Sequence, residues 1–266
     1  MPQIDNPQKR WELRLARLAD IQERQQPMAS ALQFYRTILK FQSSISSRSM
    51  HIIDPKLPLR AQIDVDEVVS VMPSLLSLAA EHGTAVLRKA ARQWEASIAQ
   101  SWRDVLDAAI NSDHHPSAGA DDFFTRTCLQ PFAENLQLQV PESPYTGEHR
   151  CPVCGGLPQM AVLRPEGDAA GRWLLCSFCL REWSFRRLIC PWCREEDKEK
   201  LPRFSSSDWP SVHVEACDTC HHYLKAIDMT VDGLAVPLVD EAAFSVLDVW
   251  AGDRGYKKIV PNLLGF

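Results

Sequence analysis

Eight of the chain's nine cysteines fall into four Cys-x-x-Cys pairs, Cys151/Cys154, Cys176/Cys179, Cys190/Cys193 and Cys217/Cys220, within a span of seventy residues. Two residues between cysteines let the backbone curl until both sulfurs face one point, and four thiolates complete a tetrahedral site for a soft metal ion. Four pairs therefore make two metal sites. Disulfides are the competing use of cysteine, but pairs spaced this closely are poor structural staples. Successive pairs are separated by 21, 10 and 23 residues, and the two long gaps lie near the roughly 15–20 residues between the ligand pairs of a zinc ribbon. That spacing favours sequential grouping, with Cys151, Cys154, Cys176 and Cys179 on one ion and Cys190, Cys193, Cys217 and Cys220 on the other. A cross-braced grouping, first pair with third and second with fourth, would satisfy the same ligands.

The turns around the pairs suit metal knuckles, in which backbone amides donate to the thiolates and moderate their charge. Pro152 and Pro191 set φ early in two of the turns, and Gly155 offers a permissive backbone after Cys154. Trp173, Phe178, Trp183, Trp192 and Tyr223 sit beside the pairs and read as the hydrophobic lids of small ribbons. Four thiolates suit zinc or iron alike. His221 and His222 follow the last pair and could replace a thiolate, and His213 precedes it; with four sulfurs per site, all three read as surface or neighbouring residues. Arg181, Arg186, Arg187 and Arg194 are balanced by Glu182, Glu195, Glu196, Asp197 and Glu199, the pattern of a solvated surface. Cys128 stands alone and reads as a small buried apolar residue.

The half of the chain before these pairs is helical in pattern. Trp11, Leu15, Leu18 and Ile21 recur at three- and four-residue intervals, and Pro27 separates them from Leu32, Tyr35, Ile38, Leu39 and Ile45. A serine-rich stretch, Ser43 to Ser49, runs into a loop marked by Pro55 and Pro58. Asp64 offers an N-cap, with Glu67 placed as in a capping box, for a helix ending near His82-Gly83. One long helix is expected from Thr84 to Asn111, with the stripe Leu87, Ala91, Trp94, Ile98, Trp102 and Val105. A fifth segment holds Phe123, Phe124, Leu129 and Phe132, with Pro131 as an expected break or kink.

Composition changes across residues 141–147, and shorter strand-like pieces follow: Met160 to Leu163, Trp173 to Leu175, Trp183 to Ile189, Val212 to Ala216 and Tyr223 to Ile227. Residues 164–171 read as a turn-rich hairpin tip. Beyond Asp240 a last amphipathic helix holds Phe244, Leu247, Val249 and Trp250. The expected fold is α+β: an all-helical N-terminal domain, 1–147, then four-cysteine ribbon modules at 148–188 and 189–232, then a C-terminal helix and tail, 233–266.

At 266 residues and 45% hydrophobic content the chain can bury a sizeable core. Its net charge of −5 opposes a nucleic-acid adaptor working by bulk electrostatics, although ribbons often serve that purpose. The charged N-terminal helical pattern resembles no secretory signal, and no apolar run approaches the ~18 residues of a membrane span, so the expected location is the cytoplasm. No glycine-rich phosphate loop, Gly-x-Ser-x-Gly elbow or His-Glu-x-x-His helix occurs. Sites saturated by cysteine leave no open position for activated water, which argues against hydrolysis.

The cysteine half resembles the formate dehydrogenase accessory protein family, FdhE. The resemblance rests on Cys151-Pro-Val-Cys-Gly155, Leu175-Cys-Ser-Phe-Cys179 with Trp183, Cys190-Pro-Trp-Cys193, and Glu215-Ala-Cys-Asp-Thr-Cys220 running into Tyr223-Leu-Lys-Ala-Ile-Asp228, and extends to Leu247-Asp248 and Gly255-Tyr256. It implies a cytoplasmic, non-enzymatic maturation factor that meets the catalytic subunit of respiratory formate dehydrogenase. It also implies rubredoxin-like sites, which shifts the expected metal from zinc towards iron, with all eight paired cysteines as ligands. A rubredoxin-like electron-transfer protein acting on the same subunit is the alternative.

Overall fold

The computed structural model describes residues 7–24, 28–48, 53–111, 113–141, 148–167 and 169–266. The chain divides into two compact units, Met1–Pro141 with Leu263–Gly265, and Glu142–Asn262 with Phe266. Residues 142–147 of the expected linker, Pro27 and Ser49 lie outside the described residues.

Among the described residues the first unit holds six α-helices, α1 (Pro7–Arg24), α2 (Ala29–Ser46), α3 (Val65–His82), α4 (Ala85–Glu95), α5 (Ala99–Ile110) and α6 (Ala120–Leu138). The expected stripes of α1 and α2 are buried, with Trp11, Leu18, Leu32, Tyr35, Ile38 and Leu39 nearly inaccessible. Leu15 is only half-buried, and Arg14 takes the inward position beside it. The Arg14 guanidinium donates to both carboxylate oxygens of Glu134 on α6, at 2.9 and 2.5 Å, which is how a charge is tolerated there. Asp64 caps α3 by accepting the amides of Asp66 and Glu67 at 2.9 and 3.2 Å.

Two expectations in this unit are corrected. The long helix from Thr84 is interrupted at residues 96–98, giving α4 and α5. The Trp94 carbonyl is occupied by the Ser97 amide at 3.0 Å, the Ser97 hydroxyl at 2.7 Å and the Trp102 indole at 2.9 Å. These local bonds compete with the helix ladder, Ile98 turns extended and exposed, and Leu106 and Ala109 replace Val105 on the buried face. The second correction is at Pro131, where α6 runs on without a break. Proline removes the amide that would bond the Thr127 carbonyl; the buried Gln42 side chain on α2 supplies a donor in its place, Nε2 to O at 3.1 Å.

Among its described residues the second unit holds one seven-stranded sheet. Its strands are β1 (Pro158–Glu166), β2 (Ala169–Cys176), β3 (Glu182–Ser184), β4 (Arg203–Ser205), β5 (Val212–Ala216), β6 (His222–Asp228) and β7 (Lys257–Lys258). The order is β3-β2-β1-β6-β5-β4, with β7 beside β6. Each cysteine module contributes an antiparallel set, β1-β2-β3 or β4-β5-β6, and the sets join where β1 and β6 pair in parallel, Met160 opposite Lys225 through Leu163 opposite Asp228. The tight tip of the β1-β2 hairpin uses Gly167 at φ +57°, a left-handed conformation that favours glycine. Met160, Ala161, Val162 and Leu163 are all buried, the continuous pattern of a strand covered on both faces.

The single expected C-terminal helix is two, α7 (Pro237–Ala243) and α8 (Val246–Asp253). Pro237 opens α7 at its first turn, where a missing amide costs nothing. The break falls at Phe244-Ser245, and Val249 is half exposed rather than inward. The expected third strand, Trp183 to Ile189, stops at Ser184.

Candidate metal centres

The four knuckles share one backbone design. The Cys151 amide donates to the Gly156 carbonyl, Cys176 to Arg181, Cys190 to Glu195 and Cys217 to His222, at 2.9 to 3.0 Å. In three of them the residue after the second cysteine also donates back to the first cysteine's carbonyl: Gly155 to Cys151, Arg194 to Cys190 and His221 to Cys217. All four residues at that position are left-handed, Gly155 at φ 71°, Leu180 at 58°, Arg194 at 65° and His221 at 55°. Only the first is glycine, so the sequence signals one of the four turns and the other three hold a side chain in a conformation costing about 1–2 kcal/mol. The turns aim amides at sulfur: Phe178 N–H points to Cys176 Sγ and Trp192 N–H to Cys190 Sγ, each at 3.4 Å.

The knuckles pair sequentially. Cys151, Cys154, Cys176 and Cys179 form one set and Cys190, Cys193, Cys217 and Cys220 the other, the sulfurs of each set lying within 4.8 Å of one another. The separations are 3.7 Å for Cys151–Cys179, 3.4 Å for Cys154–Cys176, 3.7 Å for Cys190–Cys220 and 3.6 Å for Cys193–Cys217. These are far beyond a disulfide bond of about 2.05 Å. They approach the edge of about 3.8 Å expected for a tetrahedron of metal–sulfur bonds of about 2.3 Å. The donor set therefore fits a four-coordinate soft cation.

Electrostatics point the same way. Burial first, then the neighbouring sulfurs, push the Cys176 and Cys179 thiols well above their usual range. Burial pushes Cys190 up to about 11. Buried sulfurs packed this closely resist ionisation until a cation balances them, so ligand deprotonation and metal binding are one coupled event. The first set is buried throughout, whereas in the second Cys193 is exposed and Cys220 half-exposed.

Neither His213, His221 nor His222 joins a sulfur set. His222 stacks on Trp192, centroids 4.4 Å apart, and its Nδ1 lies 2.9 Å from the Cys220 carbonyl. His213 on β5 faces Asp228 at 3.5 Å. Phe178, Trp183 and Tyr223 are buried, while Trp173 and Trp192 are partly exposed. Arg186 pairs with Glu196 at 3.2 Å on the surface, but Arg181 is buried rather than solvated. Cys128 is buried, 3.3 Å from Met72 Sδ, and burial raises its thiol far out of the reactive range.

Two features have no signal in composition or spacing. Glu195 bridges the second site's knuckles from outside: it follows the first knuckle, and its Oε2 accepts the Thr219 hydroxyl of the other at 2.6 Å. Beneath the sheet lies a buried four-charge network. Lys225 Nζ donates to Asp248 at 2.6 Å and lies 3.0 Å from Glu241. Lys258 meets Asp248 at 2.9 Å and also Glu241. Tyr223 OH donates to Asp248 at 2.8 Å. The network ties β6 and β7 to α7 and α8, and so fixes the strand that carries the last knuckle.

Residues 150–187 match the family model described as FdhE, central domain, and residues 189–264 that described as FdhE, C-terminal domain. The chain is 27% identical over 281 residues to a Protein FdhE homolog from Aquifex aeolicus, covering 97% of this chain and 96% of that one. It is 36% identical over 115 residues to a Protein FdhE homolog from Stutzerimonas stutzeri, covering 43% of this chain and 37% of the relative. The crystal structure of the FdhE protein from Pseudomonas aeruginosa shares the fold, with a TM-score of 0.74 at 22% identity over 97% of this chain and 96% of that one.

Proposed function

We infer that this chain, which belongs to the FdhE family, is a non-catalytic accessory factor that binds the catalytic subunit of respiratory formate dehydrogenase in the cytoplasm and is needed for that enzyme's assembly. It holds two metal ions, one on Cys151, Cys154, Cys176 and Cys179 and one on Cys190, Cys193, Cys217 and Cys220, with iron as the metal by the family's rubredoxin-like character. The domains that go with this reading are the helical domain to residue 147, the modules 148–188 and 189–232, and the C-terminal segment from 233.

The observation that supports it is the closure of both sulfur sets. Each supplies four thiolates, which fill the coordination of a tetrahedral ion and leave no position for substrate or activated water. The metals therefore shape and stabilise the sheet around them, and the knuckle amides moderate thiolate charge. A strain lacking this gene should lose respiratory formate dehydrogenase activity and regain it from a plasmid copy. Full activity in the deletion strain would overturn the assembly role.

The exposure of Cys193 and Cys220 favours one second reading, electron transfer to the same subunit, because a metal reached through an exposed ligand lies near a partner. It requires a metal that cycles. Reversible reduction of the purified iron form in a redox titration would support it, and zinc in both sites of protein purified without added metal would eliminate it.

A further inference from the structure

We propose that the two sites differ in permanence: the first holds its metal for the life of the fold, and the second exchanges its metal through Cys193. This rests on reading both sulfur sets as metal sites. It adds an assignment of which site, and which of eight ligands, opens to a donor from outside.

Three observations converge. The first is access. Relative exposure is 3% for Cys151, 6% for Cys154 and zero for Cys176 and Cys179, so none of these sulfurs is open to a donor from solvent. In the second set Cys190 and Cys217 are buried at 4% and 1%, but Cys193 is exposed and Cys220 half-exposed. The second is how the knuckles are held. At the first site the Ser177 amide, inside the second knuckle, donates to the Leu157 carbonyl just beyond the first at 2.9 Å. Trp183, buried on β3, anchors its indole to the Glu148 carbonyl at 3.0 Å. At the second site the equivalent amide, Asp218, likewise donates to the Lys200 carbonyl beyond the first knuckle at 2.9 Å, and the added bond between the knuckles, from Thr219 to Glu195, has an exposed donor. The third is asymmetry within the second site. Cys190 and Cys217 sit on the inner side, whereas Cys193 precedes the exposed Arg194. Outward movement of Cys193 disturbs little packing.

The implied step is ligand exchange with no change of oxidation state. With a soft cation bound, Cys193 would be the ligand given up to an outside thiolate or other soft donor, and its freed sulfur would take a proton from solvent. Cys190, Cys217 and Cys220 would keep their hold, so exchange would begin at one ligand without unfolding the site.

The test uses the full chain loaded with two equivalents of zinc, challenged with excess pyridylazo-resorcinol chelator while released metal is read by colour. Two phases of one equivalent each are expected, separated by about tenfold or more in rate. N-ethylmaleimide present in the fast phase should label Cys193 ahead of Cys151, Cys154, Cys176 and Cys179 in peptide mass maps. Thr219→Val, at an exposed position, should speed the fast phase several-fold and leave the slow phase unchanged. Release of both equivalents in one phase, first labelling in the first set, or an unchanged fast phase in T219V would overturn the inference while leaving two metal sites standing. A chain that takes up no metal would overturn both.

Discussion

Glu241→Gln should destabilise the second unit by about 3 kcal/mol at neutral pH. Glu241 is fully buried between two lysines, 3.0 Å from Lys225 Nζ and in contact with Lys258 Nζ, and Gln159 donates to it at 3.2 Å. Burial works to raise its pKa, but the two lysines outweigh burial and hold it at about 2, against 4.5 unperturbed. A depression of that size is worth about 3 kcal/mol at about 1.4 kcal/mol per unit, in the range of about 3–5 kcal/mol for breaking a buried ion pair. The sign follows from linkage: a depressed carboxylate stabilises the fold fully above its unfolded pKa, and the contribution is lost as pH falls towards the folded value. The gap between wild type and variant should therefore narrow by about 1 kcal/mol between pH 7 and pH 4. Urea unfolding followed by tryptophan fluorescence, at saturating metal so that binding does not shift the comparison, measures both. The double variant with Lys258→Met should lose less than the sum of its singles, because it removes a pair rather than orphaning a charge. A single-variant loss below about 1 kcal/mol, or a gap independent of pH, would refute the reasoning.

Gln42→Leu should cost about 1–3 kcal/mol by leaving the Thr127 carbonyl unbonded opposite Pro131, seen as a lower urea midpoint with metal content unchanged. Arg194→Gly should stabilise by about 1 kcal/mol by relieving the left-handed backbone at φ 65°, readable as a rise of about 2 °C in melting temperature. Cys190→Ser with Cys193→Ser should empty the second site and keep the first, so elemental analysis should find one metal where wild type has two.

The sites were legible because metal ligation constrains sequence more tightly than packing does. Two residues between cysteines and ribbon-length gaps leave few geometries, and the sequential grouping is the one that the β1-β2 and β5-β6 hairpins impose. The helix stripes were legible for the same reason, since burial demands periodicity. What stayed hidden were groups whose meaning depends on distant partners. Arg14, Lys225 and Glu241 look like surface charges until Glu134, Asp248 and Lys258 arrive from elsewhere in the chain. Pro131 looks like a helix breaker until Gln42 replaces the missing donor. Leu180, Arg194 and His221 occupy left-handed positions where glycine would have been the signal. The split between α4 and α5 turns on Ser97 and Trp102 competing for one carbonyl, a contest that hydrophobic periodicity does not register.

X-ray absorption at the metal edge, with elemental analysis of freshly purified protein, tests the two-site claim most directly. Two metal ions per chain are expected, each with four sulfur neighbours at about 2.3 Å and no nitrogen or oxygen in the shell, and the edge itself identifies iron or zinc. Fewer than two ions, or a shell containing a histidine nitrogen or a water oxygen, would contradict two sites closed by eight cysteines.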